Sequence, residues 1–344
     1  MRDGDSTRNR PEAGGQRPEA RGQRPEARGQ RPEAREVPSH QSPVTSHEFT
    51  TIPEAKVPDW LDRSEYPFTS RWATVRDGRM HYIDEGAGPP VLFVHGTPTW
   101  SFEYRHAIRA AKDQCRCIAP DHLGFGLSER PRNASYTPEA HAARLREFVD
   151  GVGIERFALV VHDYGGPIGL PLALVGRVTR LVLLNTWMWP FDDDKEMMNR
   201  GRMVAGRMGR WMYRHLNASL RMLMPSAYAQ RSRLTRTIHR QYLEPFRNPA
   251  DRVLVLWPLA RALLGSSAFY RELYSRIDAL RSIPTTIIWG LKDTAFRPHQ
   301  LARWRRELPE ASVLALDNAG HWPHEEAPSE VAEAIAEFLA AGSG

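Results

Sequence analysis

Three side chains able to share one reaction stand, in order, behind three apolar runs of the chain. Asp163 follows "FALVVH", Asp293 follows "TTIIWGLK", and His321 follows "SVLALDNAG". After Asp163 come Tyr164, Gly165 and Gly166. A nucleophile at the tip of a sharp strand-to-helix turn needs small residues next, because helix and strand approach closely there. An aspartate with its ordinary pKa of about 4 is already ionised near neutrality. It can therefore displace a good leaving group or open a strained ring, and it leaves an ester on the protein. A histidine must then activate water against that ester. A second acid holds the imidazole tautomer and stabilises the imidazolium. Asp163 as nucleophile, His321 as base and Asp293 as acid satisfy this scheme. Hydrolysis of the ester passes through an oxyanion, which requires backbone N–H donors. The amides of Thr97, in "HGTP" at residues 95–98, and of Tyr164 are expected to supply them.

Each residue alone has a plainer reading. An Asp between strand and helix is commonly a cap. A His in "GHWPHEE" is commonly structural, and His321, His324 and Glu325 resemble a metal set only loosely, with no HExxH spacing. No metal and no cofactor are expected. The ordered trio, the paired glycines and "HGTP" together point to an enzyme.

These residues need a parallel sheet that carries them at its strand ends, where open α/β sheets bind ligands. "SRWATV" and "RMHYIDEG" read as a hairpin turning at Asp77-Gly78. "PVLFVHG", "CRCIAPDHLG", "FALVVHD", "VTRLVLLN", "TTIIWG" and "SVLALDN" read as strands. Helical stretches separate them, one opening with Thr137 as cap and Pro138 at the first helical position. The expected fold is therefore α/β: a mostly parallel sheet with helices on both faces. The order nucleophile, acid, histidine is that of the α/β-hydrolase fold. Residues 57–186 and 284–344 would form the core, and residues 187–283, helical in period and rich in Arg and Met, an inserted helical cap. The arginines read as a solvated face, the methionines as an adaptable interior.

Residues 1–56 form a tail apart. From Arg10 to Glu36 a seven-residue text built on "RPEARGQ" repeats, without apolar anchors and with proline in each copy. Such a segment buries too little to offset its ordering entropy and is expected to be disordered. The net charge is +6 over 344 residues, too diffuse in the body to argue for nucleic acid. No run of 18 apolar residues and no signal-peptide core occur. Cys115 and Cys117 fall on one face of a strand and read as buried thiols. A cytoplasmic enzyme acting on a small apolar substrate and water is expected, with neither nucleic acid nor membrane as partner. The oligomeric state is not legible.

"HGTPTWSFEYR", "APDHLGFGLSERP", "VVHDYGGPIG", "WGLKD" and "NAGHWPHEE" resemble the haloalkane dehalogenase family over about Pro58 to Leu339. The resemblance implies the same three roles for Asp163, His321 and Asp293, and a reaction that turns a haloalkane and water into an alcohol and halide. In one branch of the family the acid follows the sixth strand; Asn185 stands there, which favours Asp293. The family places Trp after the nucleophile and Asn or Glu after His-Gly, both as halide donors. Here these are Tyr164 and Thr97, whose hydroxyls can also donate. Trp187 and Trp189 are the candidates to supply an indole to the pocket instead. Epoxide hydrolysis is the nearest rival, with Tyr213, Tyr228, Tyr242, Tyr270 and Tyr274 as possible acids. A β-lactone decarboxylase and a non-catalytic receptor on a hydrolase scaffold are further alternatives. An esterase is disfavoured by the lack of Ser or Cys at the elbow.

Overall fold

The computed structural model describes residues 57–341; the expected tail lies outside them. One eight-stranded sheet runs in the order β1-β2-β4-β3-β5-β6-β7-β8. The strands are β1 (Arg71–Val75), β2 (Gly78–Glu85), β3 (Pro90–Val94), β4 (Arg116–Pro120), β5 (Phe157–Asp163), β6 (Val178–Thr186), β7 (Thr285–Gly290) and β8 (Ser312–Leu316). β1 and β2 pair antiparallel through the Asp77-Gly78 turn, and β2 pairs antiparallel with β4. From β4 onward every pairing is parallel. The expected α/β-hydrolase sheet is present, and the hairpin sits at its edge.

The central strands form because their residues fit a sheet covered on both faces. All seven residues of β5 are buried, as a near-continuous apolar run in a parallel sheet requires. Helices α1 (Arg105–Ala111), α2 (Pro138–Val152) and α3 (Gly165–Ala173) flank it. Thr137 caps α2 by accepting from the Ala140 amide, Pro138 opens the helix, and Gly153 closes it in the left-handed region. Cys115 and Cys117 are buried free thiols.

Between β6 and β7 the chain leaves the sheet for a succession of helices. The first are α4 (Lys195–Ala205) and α5 (Arg207–Leu216). Asp194 caps α4 through the Met197 amide, and Asn217 ends α5 in the left-handed region. The segment runs on through the wide turn Ser219–Leu223 to the helix Ser267–Tyr274 before the chain returns at Thr285.

The β5–α3 junction is tightly packed. A Cβ on Gly165 would lie 2.0 Å from the Val94 carbonyl oxygen, and one on Gly166 would lie 1.9 Å from Thr186 Oγ1. Glycine is needed here for close approach to the neighbouring strands. Gly165→Ala is expected to cost about 3 kcal/mol or more, read as a lowered urea midpoint with the slope unchanged.

Candidate active site

Asp163 is the last residue of β5 and has a φ of 49°, in the left-handed region. For a residue other than glycine this conformation is strained by about 1–3 kcal/mol and persists only where the surroundings enforce it. Two contacts enforce it: the Thr186 hydroxyl donates to the Asp163 carbonyl at 2.6 Å, and α3 begins at once, so the carboxylate is thrown above the sheet. There it is 6% exposed.

Its oxygens have different partners. Oδ1 accepts from the Thr97 amide at 2.8 Å, and Oδ2 lies 3.5 Å from His321 Nε2. The Thr97 amide is positioned by the preceding histidine. His95 Nδ1 donates to the Gly96 carbonyl, and its Nε2 therefore accepts from the His122 amide at 2.9 Å. Burial pulls the His95 pKa down, consistent with this neutral tautomer.

His321 follows β8. Its Nδ1 donates to Asp293 Oδ2 at 2.8 Å. Both oxygens of that carboxylate are engaged: Oδ2 also accepts from Asn185 Nδ2 at 2.7 Å, and Oδ1 accepts from the Ala295 amide at 2.6 Å. The three residues expected to act together are thus brought together. Asn185 also touches the acid it was set aside for. Burial alone would lower the His321 pKa, but Asp293 and Asp163 outweigh it and raise it to about 10.

His321 is also held by its backbone. Its carbonyl accepts from His162 Nε2 at 2.8 Å, and its amide donates to the Ala227 carbonyl at 3.0 Å. His162, the residue before Asp163, belongs to a buried group with Glu103 and His324. His162 Nδ1 is 3.4 Å from Glu103 Oε1, and His324 Nε2 is 3.6 Å from Oε2. Burial pushes the Glu103 carboxyl up, but His162 and His324 overcome it and hold it well below its usual range. Their ligand atoms lie within 4.8 Å of one another, so this trio, rather than His321, His324 and Glu325, has metal-like spacing. Glu325 is instead bound by both terminal nitrogens of buried Arg105 and by the Tyr242 hydroxyl.

Above Asp163 is a cavity of about 470 Å³ whose lining includes Thr97, Tyr164, Trp187, Tyr213, Phe296 and Trp322. The indole N–H groups of Trp187 and Trp322 are buried and have no acceptor among the described residues. Trp187 stands edge-on to Tyr164, ring centres 4.8 Å apart. The Tyr164 hydroxyl donates to the Leu259 carbonyl at 2.6 Å, so its proton is turned away from the carboxylate. Trp189 corrects an expectation, since it does not reach this cavity. Its Nε1 donates to Gln300 Oε1 at 2.8 Å, and its ring packs on Trp304 at 4.7 Å. Two residues beyond Trp187 the chain has turned toward helix Pro298–Glu307, which takes that indole. Trp322, directly after His321, was missed; its adjacency to the histidine was the available signal.

Held between two carboxylates, the arrangement can keep an imidazolium and release its proton once one carboxylate loses its charge. Removing the Asp163 charge should lower the His321 pKa. Asp163→Asn is therefore expected to bring the His321 titration, followed by NMR, down from about 10. A raised folded-state pKa contributes stability that is fully present below about 6.5 and is lost as pH rises through the folded value. The variant should accordingly lose less stability than the parent between neutral pH and pH 10. An unchanged titration would contradict the coupling.

Residues 89–328 match a family model described as the alpha/beta hydrolase fold. Haloalkane dehalogenase 2 of Mycobacterium tuberculosis is 39% identical over 280 residues, covering 80% of this chain and 96% of that protein. A cis-3-alkyl-4-alkyloxetan-2-one decarboxylase of Shewanella oneidensis is 34% identical over 283 residues, covering 79% and 89%. The solved structure of the haloalkane dehalogenase DbeA-M1 loop variant from Bradyrhizobium elkanii superposes with a TM-score of 0.71. It is 24% identical and covers 80% of this chain and 97% of that one. With an eight-stranded sheet of this topology and relatives matched over nearly their whole length, the chain belongs to the haloalkane dehalogenase family of α/β-hydrolase-fold enzymes.

Proposed function

We propose that the enzyme hydrolyses a carbon–halogen bond through an ester on Asp163, with residues 187–283 as the cap that closes the cavity. The observation that carries the halide reading is the pair of buried indole N–H groups, on Trp187 and Trp322, with no acceptor among the described residues, on the walls of an apolar cavity that opens on Asp163. A buried donor without a partner costs roughly 1–3 kcal/mol, and an anion produced in the cavity would satisfy it.

In the first step Oδ2 attacks the carbon, a C–O bond forms, and the C–X bond breaks with the electron pair leaving on the halide. The Asp163 charge is thereby consumed. His321 then loses the attraction of one of its two carboxylates and gives its proton to solvent. In the second step the neutral imidazole takes a proton from water, whose oxygen adds to the Asp163 carboxyl carbon. Negative charge develops on Oδ1, where the Thr97 amide already donates at 2.8 Å. Collapse expels the alkoxide, which takes the proton from His321, and the Asp163 carboxylic acid so formed returns its remaining proton to the imidazole, restoring carboxylate and imidazolium. The balance is haloalkane and water to alcohol, halide and one proton.

The oxetanone decarboxylase relative favours a second reading, attack of the same carboxylate on a strained β-lactone. Epoxide opening needs an acid for the alkoxide. Of the five tyrosines considered, only Tyr213 lines the cavity. Tyr242, Tyr270 and Tyr274 spend their hydroxyls on Glu325, the Ala262 carbonyl and Glu307.

His321→Gln is expected to stop at the ester. Intact-mass measurement after incubation with a bromoalkane should show the mass of one alkyl group, absent in Asp163→Asn. Addition from a β-lactone or an epoxide alone would replace the halide reading, and no addition to the folded variant would end the nucleophile assignment. Trp187→Phe should lower kcat/KM for halide release by about 10- to 100-fold, the worth of one hydrogen bond to a charge. Tyr213→Phe should leave it within about threefold. The reverse pattern would support epoxide opening.

A further inference from the structure

From residue 197 to residue 243 the chain carries ten arginines and not one Asp or Glu. The net charge of the whole chain is only +6, so everything outside this stretch is net negative. All ten arginines are exposed. Arg202, Arg207, Arg210, Arg214 and Arg221, on α4, α5 and the turn after them, have no carboxylate partner among the described residues. A solvated surface that merely keeps a protein dispersed mixes both signs; this one does not.

The same stretch exposes apolar side chains. Of the seven large hydrophobic residues that are exposed among the described residues, six fall between Met203 and Leu223. Met208 is 67% exposed and Trp211 50%. On α5 they recur at helical spacing with half-buried Met212, while Tyr213 faces inward. Met203 and Leu223 are both exposed and line the Asp163 cavity, so the apolar residues reach its rim.

We propose that this face of the helical insertion docks on an anionic lipid surface, and that an apolar substrate enters the cavity from that phase. A cationic helix with Trp and Met on its outer side lies in a lipid interface, the apolar groups entering the acyl boundary and the guanidinium groups meeting the phosphates. A second copy of the chain is disfavoured, because two faces of the same strong charge repel. A nucleic acid would answer the charge and leave Met208, Met203 and Leu223 without a use. No single described helix is long and apolar enough to span a membrane, and the contact proposed is a peripheral one. The membrane partner not expected from the sequence thus comes from a surface that only folding assembles. Docking rests on the surface alone. Substrate delivery rests in addition on the function proposed above, and binding is measured without substrate so that the two fail separately.

The test is flotation of the full chain with vesicles of phosphatidylcholine, with and without phosphatidylglycerol. Binding is expected only to the anionic vesicles, with release at roughly 1 M salt, where the screening length falls to about 3 Å. Arg207→Glu, Arg210→Glu and Arg214→Glu together should lower the partition ratio about 100-fold or more. Met208→Ser with Trp211→Ser should lower it with all arginines intact. These side chains are exposed, and circular dichroism and Tm verify the fold. The tail keeps its arginines in every variant, so undiminished binding would place the contact there and overturn the proposal. Equal binding to neutral vesicles, no binding at low salt, or binding to duplex DNA in preference to vesicles would overturn it as well.

Discussion

The site depends on one carboxylate being held from two sides in a backbone conformation that it would not adopt alone. Asp163 sits at positive φ because β5 must stop and α3 must start within a residue. Gly165 and Gly166 let that happen against Val94 and Thr186. The strain is small beside the burial of the surrounding sheet, which is why it is tolerated. What it secures is direction: one oxygen toward a backbone amide, the other toward an imidazole. A relaxed aspartate at the same place would be a helix cap.

The second determinant is the count of charges around His321. Two carboxylates flank one imidazole, and Asn185, which donates to one of them, brings no third charge. Asparagine keeps the hydrogen bond to Asp293 and adds no charge. An acid there would place a third negative group beside the imidazolium and raise its pKa further.

Much of this was legible in the chain because catalytic residue types stand where apolar runs stop, and a parallel sheet brings its strand ends together. Asp163, Asp293 and His321 could be read in that way, and so could the Asp77-Gly78 turn and the Thr137 cap. What was not legible depends on partners far along the chain. The direction of the Tyr164 hydroxyl is set by the Leu259 carbonyl, 95 residues on. Trp187 and Trp189 looked equivalent, and their separation depends on Gln300, which captures one indole. Glu103, His162 and His324 lie on three separate stretches with no shared motif. The exposed arginines and methionines were each ordinary in the sequence; only the placement of Met203 and Leu223 at the cavity rim gave them a common meaning.

The backbone of His321 is anchored at two ends that belong to different parts of the molecule. Its carbonyl is tied to His162 in the sheet, and its amide to Ala227 in the helical insertion. Glu326 tightens the second anchor, accepting from Gly320 and from Gln230. His321 is therefore tied at once to the sheet and to the insertion. Any shift of the insertion against the sheet would be felt at the imidazole, whose Nε2 lies 3.5 Å from Asp163 Oδ2.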